Sequence, residues 1–76
     1  MPKIPSISSK KFCKFLLDFG CEFVRTDGDH DIFWKTGLLR PVVVPIRKHL
    51  PIFIILNNIK TMGISREEFL KRLENI

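Results

Sequence analysis

Residues 21–36 read CEFVRTDGDHDIFWKT, two β-rich runs on either side of a short acidic stretch that contains one glycine. Cys21 to Thr26 carries Phe23 and Val24, and His30 to Thr36 resumes with Ile32, Phe33 and Trp34. Aromatic and β-branched residues suit a pleated, half-buried surface, so both runs are expected to be strands. Glycine tolerates the positive φ that a tight turn demands, and Asp27-Gly28 is read as the hairpin turn. The sheet is therefore antiparallel at its start.

Working outward, a second turn at Thr36-Gly37 leads into LLRPVVVPI, residues 38–46, whose Val42 to Val44 suit a third strand. Pro41 and Pro45 cannot donate to a ladder, so that strand is expected to be an edge or to pair along only part of its length. Before the hairpin, Ser8 or Ser9 can cap a helix in which Phe12, Phe15, Leu16 and Phe19 recur at helical spacing until Gly20. Lys10, Lys11 and Lys14 fall on its wet side. After the third strand, Pro51 can sit in a first helical turn, with Ile52, Ile55, Leu56 and Ile59 facing inward and Gly63 ending the element. Phe53 and Ile54 lie off that face, so the helix is apolar on more than one side. SREE, residues 65–68, matches a capping box ahead of Phe69, Leu70 and Leu73. The order α-β-β-β-α-α describes one α+β domain over residues 1–76, a three-stranded antiparallel sheet with helices packed on one face.

A chain of 76 residues with 45% hydrophobic content has one core and no room for a second. Hollowing out so small a core for a deep cavity would remove what stabilises it, so any chemistry belongs on the surface. Thirteen Lys and Arg against eight Asp and Glu leave a formal charge of +5, which favours polyanionic partners: RNA, DNA or an acidic protein face. Cys13 and Cys21 show no CxxC spacing, and the N-terminus has no secretory pattern, so a cytoplasmic location with reduced thiols is expected. A zinc site drawn from those thiols, His30 and His49 would need an unusual spacing, and no metal is expected. The longest apolar run, IFIIL at 52–56, is far short of the ~20 residues that cross a bilayer.

His30 is the residue with the most chemistry to offer, because an imidazole with a pKa of ~6.5 supplies both proton-transfer forms near neutrality. Taken alone, it is either an acid–base group presented at a strand end or a polar residue opening the strand, with Asp29 and Asp31 as turn formers. The aspartates can favour its charged form, or one can orient the ring through the second nitrogen. Strand parity puts His30 with Ile32 and Trp34, and Asp31, Phe33 and Lys35 on the opposite side. Trp34 is expected in the core beside Ile32. Candidate contacts to an anionic strand are Arg25, Lys35, Arg40, Arg47, Lys48 and His49, with Lys35 on the wrong face to help His30 directly.

Gly28-Asp29-His30 opening the second strand, VVVPI closing the third, and NNIKTMGISREEFL at 57–70 together resemble the HicA family of toxin endoribonucleases. The resemblance spans nearly the whole chain. It implies a fold like that of double-stranded-RNA-binding domains, cleavage of mRNA without a metal or other cofactor, and neutralisation by a HicB-type antitoxin. It also implies that His30 is catalytic, with Gly28 and Asp29 forming the turn that supports it. The chain departs from the family pattern at Asp29, where serine is usual, at Asp31, and across Ile52 to Leu56, where threonine and arginine are common. Two other readings of the same residues are a non-catalytic RNA-binding module and a protein-interaction domain using Phe53 and Ile54.

Overall fold

The computed structural model describes residues 4–76. Residues 1–3, which open the expected 1–76 domain and the N-terminus read as having no secretory pattern, lie outside the described residues. The elements are α1 (Ser9–Phe19), β1 (Glu22–Asp27), β2 (His30–Trp34), β3 (Val42–Pro45), α2 (Ile52–Met62) and α3 (Arg66–Leu73). The strands form one antiparallel sheet in the order β1-β2-β3. The expected α+β order holds throughout. No helix among the described residues is long and apolar enough to cross a membrane.

Each helix begins and ends for a local reason. Ser8 is the extended residue before α1, and its hydroxyl accepts from the Lys11 amide at 3.1 Å. Phe12, Phe15 and Leu16 are completely buried, and Gly20 closes the helix at φ 107°. The last turn of α1 contains no basic residue, yet its carbonyl end is not left bare. Lys35, arriving from the end of β2, donates from Nζ to the Phe19 carbonyl at 3.2 Å and sits 4.2 Å from the centre of the Phe19 ring. At α3 the Ser65 hydroxyl accepts from the Glu68 amide at 3.1 Å, the N-cap half of the expected box. Phe69 then reaches back to meet Phe15 edge-on, ring centres 4.8 Å apart.

The sheet is covered on one side. Phe33 is 2% exposed, and its cross-strand partner Val42 and the next covered residue of β3, Val44, are fully buried. Alternation then turns His30, Ile32 and Trp34 to the uncovered side, together with Arg25 and Val43, which pair with Ile32. Trp34 is consequently 38% exposed, not in the core where it was expected. Its bulk suits burial, but Phe33 and Trp34 are neighbours on a strand and one helical layer can cover only one of them.

The buried stripe of α2 is Ile55, Ile59 and Met62, with Leu56 half-buried. Ile52, expected inward, is exposed. A helix that is apolar on several sides offers more than one inward phase, and the one it takes leaves Ile52, its first residue, out of the buried stripe. The Asn58 side chain donates to the Val43 carbonyl at 3.2 Å, which places the middle of α2 beside the outer edge of β3 and gives that edge strand a partner.

Truncating Phe33 to alanine is expected to cost about 3–5 kcal/mol of unfolding free energy, as for other fully buried phenylalanines, and Trp34→Ala far less. Urea unfolding of the two variants checks this; equal losses would mean that the sheet is covered on the other face.

Candidate functional site

The turn that presents His30 is one residue later than expected. Its two central residues are Gly28 and Asp29, flanked by the pair Asp27 and His30. Gly28 has φ 64°, and no non-glycine residue among those described takes a positive φ. A positive φ at the first central position alone is the pattern of a type II′ turn, which matches the twist of the strands it joins. A Cβ on Gly28 would meet nothing within 4 Å, so the backbone angle and not space selects glycine there.

His30 opens β2 with its side chain 47% exposed on the uncovered face, and its Nδ1 lies 3.0 Å from Asp29 Oδ1. The carboxylate lies beside Nδ1, which leaves Nε2 as the ring nitrogen without a protein partner among the described residues. The Asp29 carbonyl accepts from the Ile46 amide at 2.8 Å, so the same residue ties the turn to the chain that leaves β3. Asp31, weighed with Asp29 as a partner for the imidazole, faces the opposite side, as strand parity predicts. Its Oδ1 accepts from the Thr26 hydroxyl at 2.8 Å, and its Oδ2 is 3.9 Å from Cys13 Sγ on α1. Burial, then the Asp31 charge, then that hydrogen bond push the Cys13 thiol from 9.0 up to about 11. Burial also raises the Cys21 thiol, opposed by the charge of Lys35.

The cations divide into near and far sets. Arg25 is on the face of His30 and diagonal to it across the strand pair, a relation that puts two residues roughly 7–8 Å apart, within reach of a long side chain. Pro45 is the cross-strand partner of His30, and Arg47, Lys48 and His49 follow it with exposed side chains. That loop is clipped to the start of α1 at both ends. The Ser9 amide and hydroxyl each donate to the Arg47 carbonyl at 3.0 Å, and the Arg47 amide donates back to the Ser9 hydroxyl at 3.0 Å. Beyond it, the Leu50 amide donates to the Ile7 carbonyl at 2.7 Å. Arg40 and Lys35 stand apart. Arg40 precedes β3, five residues before Pro45, or roughly 17 Å at about 3.3 Å per extended residue. Lys35 is on the covered face with its ammonium engaged by Phe19.

Gly28, Asp29, His30 and Arg25 thus share one end of the β1–β2 pair, a corner of the sheet, and the exposed Arg47 to His49 loop follows Pro45, the cross-strand partner of His30. Sequence missed Ser9 as the buried clip for that loop. Its only signal was a second serine beside the capping one, and Ser9 is 6% exposed. The model of the family described as HicA toxin of bacterial toxin-antitoxin matches residues 9–64, well over half of the chain. The chain belongs to the HicA toxin family. No curated protein matches it. The HicA match begins at the buried Ser9 and runs through the hairpin, β3 and α2, so it contains every residue of this corner and leaves α3 outside.

The pairing of Cys13 with Asp31 makes a check on the covered side of this HicA hairpin. A thiol raised from 9.0 to about 11 has about 100-fold less thiolate near pH 8, so Cys13 should alkylate about that much more slowly in the folded than in the unfolded chain. Asp31→Asn should accelerate it only in part, because burial is the larger cause. Since the folded value is the higher one, the stability linked to Cys13 is present below pH 9 and lost as pH climbs towards 11. Mass spectrometry of iodoacetamide-treated protein reads the rates; equal rates folded and unfolded would contradict this placement of the thiol.

Proposed function

We propose that this protein is a metal-independent endoribonuclease toxin that cleaves mRNA with His30 as its acid–base group, acts in the cytoplasm, and is neutralised by a HicB-type antitoxin. The observation that carries the reading is the half-exposed imidazole on the open sheet face, with Asp29 Oδ1 3.0 Å from its Nδ1 and Arg25 diagonal to it across the strand pair. RNA holds its own nucleophile. Removal of the 2′-OH proton lets that oxygen attack the adjacent phosphorus in line, and the 5′-oxygen leaves with a proton, giving a 2′,3′-cyclic phosphate and a 5′-OH. The protein needs to supply only proton transfer, positive charge and position.

Asp29, 3.0 Å from Nδ1, would orient the ring and leave Nε2 for the reacting oxygen, the role a carboxylate takes beside a catalytic histidine. Neutral His30 would accept the 2′-OH proton at Nε2, and protonated His30 would deliver one to the departing 5′-oxygen. Arg25 and the Arg47 to His49 loop would hold the phosphate and stabilise charge developing on its oxygens. No third reactant is required, which is why a shallow corner of a small domain suffices.

A non-catalytic RNA-binding module is the second reading. It is favoured by the acidity around the imidazole, since Asp27 faces His30 across the turn and Asp29 touches it. Both carboxylates repel a phosphate.

Purified protein is expected to cleave single-stranded RNA with EDTA present and to spare a strand lacking 2′-hydroxyls. His30→Ala should lower the rate ~10²–10⁴-fold with an unchanged far-UV circular dichroism spectrum. Cleavage persisting in His30→Ala, or lost in EDTA, would refute the mechanism. Wild-type protein that shifts RNA on a gel without cutting it would leave the binding module.

A further inference from the structure

We infer that the cleft between the β2–β3 connection and the second half of α2 is a second phosphate-binding subsite for the same RNA strand, with Arg40 and Lys60 as its cations. The inference rests on the reading of the His30 corner as an RNA site and extends it along the molecule. The cleft has a volume of about 440 Å³ and is lined by Leu39, Arg40, Asn57, Lys60 and Thr61. Two of these five side chains are positive, two are polar and none is a carboxylate. Among the described residues the ion pairs are His30 with Asp29 and Arg72 with Glu68, so neither cation of the cleft is neutralised by a neighbour. The Thr61 hydroxyl is committed to the Asn57 carbonyl at 3.1 Å, whereas the Asn57 side-chain amide has no partner among the described residues and is available as a donor.

Lys60 alone has a structural explanation, because it lies in the last turn of α2, where a cation complements the helix carbonyl end. Arg40 has none. It sits on a connection, exposed, beside a leucine that is 99% exposed. A guanidinium next to an apolar side chain standing wholly in water suits a nucleotide, with phosphate on the one and an unstacked base against the other.

The cleft is also on the path of a strand bound at His30. The bond from Asn58 to the Val43 carbonyl lays α2 alongside β3, and β3 runs from Val42, next to Arg40, to Pro45, opposite His30. One flank of the molecule therefore has the imidazole and the Arg47 to His49 loop at one end and Arg40 with Lys60 at the other. The separation of roughly 17 Å along the strand is a few nucleotides of single-stranded backbone. A short fragment held at His30 would not reach the cleft, and a longer strand would.

The test measures binding, not cleavage, in a His30→Ala background so that the RNA survives. Fluorescence anisotropy against salt is recorded for a long single strand and for a trinucleotide. Arg40→Gln with Lys60→Gln is expected to flatten the slope of log affinity against log salt by about 1.4, since each phosphate contact on a single strand contributes ~0.7. Binding of the long strand should weaken several-fold, that of the trinucleotide should stay as it is, and Lys60→Arg should retain the full slope. Thermal melting confirms that these exposed substitutions leave the fold intact. A double variant with the parent slope on the long strand would overturn the subsite whether or not His30 cleaves, and so would the absence of salt-dependent RNA binding in every form. A fall in slope in this background, with no RNA cut by the protein that keeps His30, would uphold the subsite and sink the nuclease reading instead.

Discussion

Phe33 must face the helices, and from that single requirement the placement of every other group follows. A strand has a side-chain period of two, so burying Phe33 sends Asp31 and Lys35 to the covered face and His30, Ile32 and Trp34 to the open one. The alternative register is costly in both directions. It would move a fully buried phenylalanine, with ~1.5–3 kcal/mol of burial, into water and press an imidazole and its carboxylate partner against α1. The chemistry of this chain is on its surface because its packing leaves nowhere else for it.

Position along the strand is set just as firmly as the face. The Gly28-Asp29 turn makes His30 the first residue of β2, and the Asp29 carbonyl takes the Ile46 amide as the chain departs β3. Ser9 then clasps Arg47 through three hydrogen bonds, joining the start of α1 to the basic loop. A domain of this size has no deep pocket in which to align groups. Backbone bonds between sequence-distant loops do that work, and a rigid frame carrying exposed side chains is a common way to build a site. The formal net charge of +5 favours a polyanionic partner, and the clipped corner is where the chain places His30 and His49.

Much of this was legible in the residues. The hairpin, the edge character given to β3 by its prolines, the serine and glycine helix boundaries and the parity of His30 against Phe33 are all local rules, and local rules survive folding. What was not legible is which side of the sheet the helices cover. Ile32 with Trp34 is a more apolar pair than Asp31 with Phe33, so composition pointed to the wrong face, and Trp34 stands half in water as a result. The same limit applies to Ile52, where several inward phases of an apolar helix look alike. It applies also to Asp31, whose neighbours in sequence are His30 and Ile32 but whose neighbours in space are Thr26 and Cys13. Lys35 reads as one more cation until tertiary structure places it on the bare carbonyl end of α1. Ser9 reads as a redundant cap until the Arg47 loop arrives.

The central claim is that RNA meets the protein at the imidazole of His30, with Asp29 on one ring nitrogen and the scissile nucleotide on the other. Nitrogen NMR of the labelled protein, titrated with a strand made uncleavable by one 2′-deoxy substitution, tests it directly. The account predicts that the Nε2 resonance of His30 moves most, that its Nδ1 keeps the signature of a proton shared with Asp29, and that the Arg47 to His49 amides move with it. An imidazole left unchanged while resonances elsewhere shift with the bound strand would contradict it.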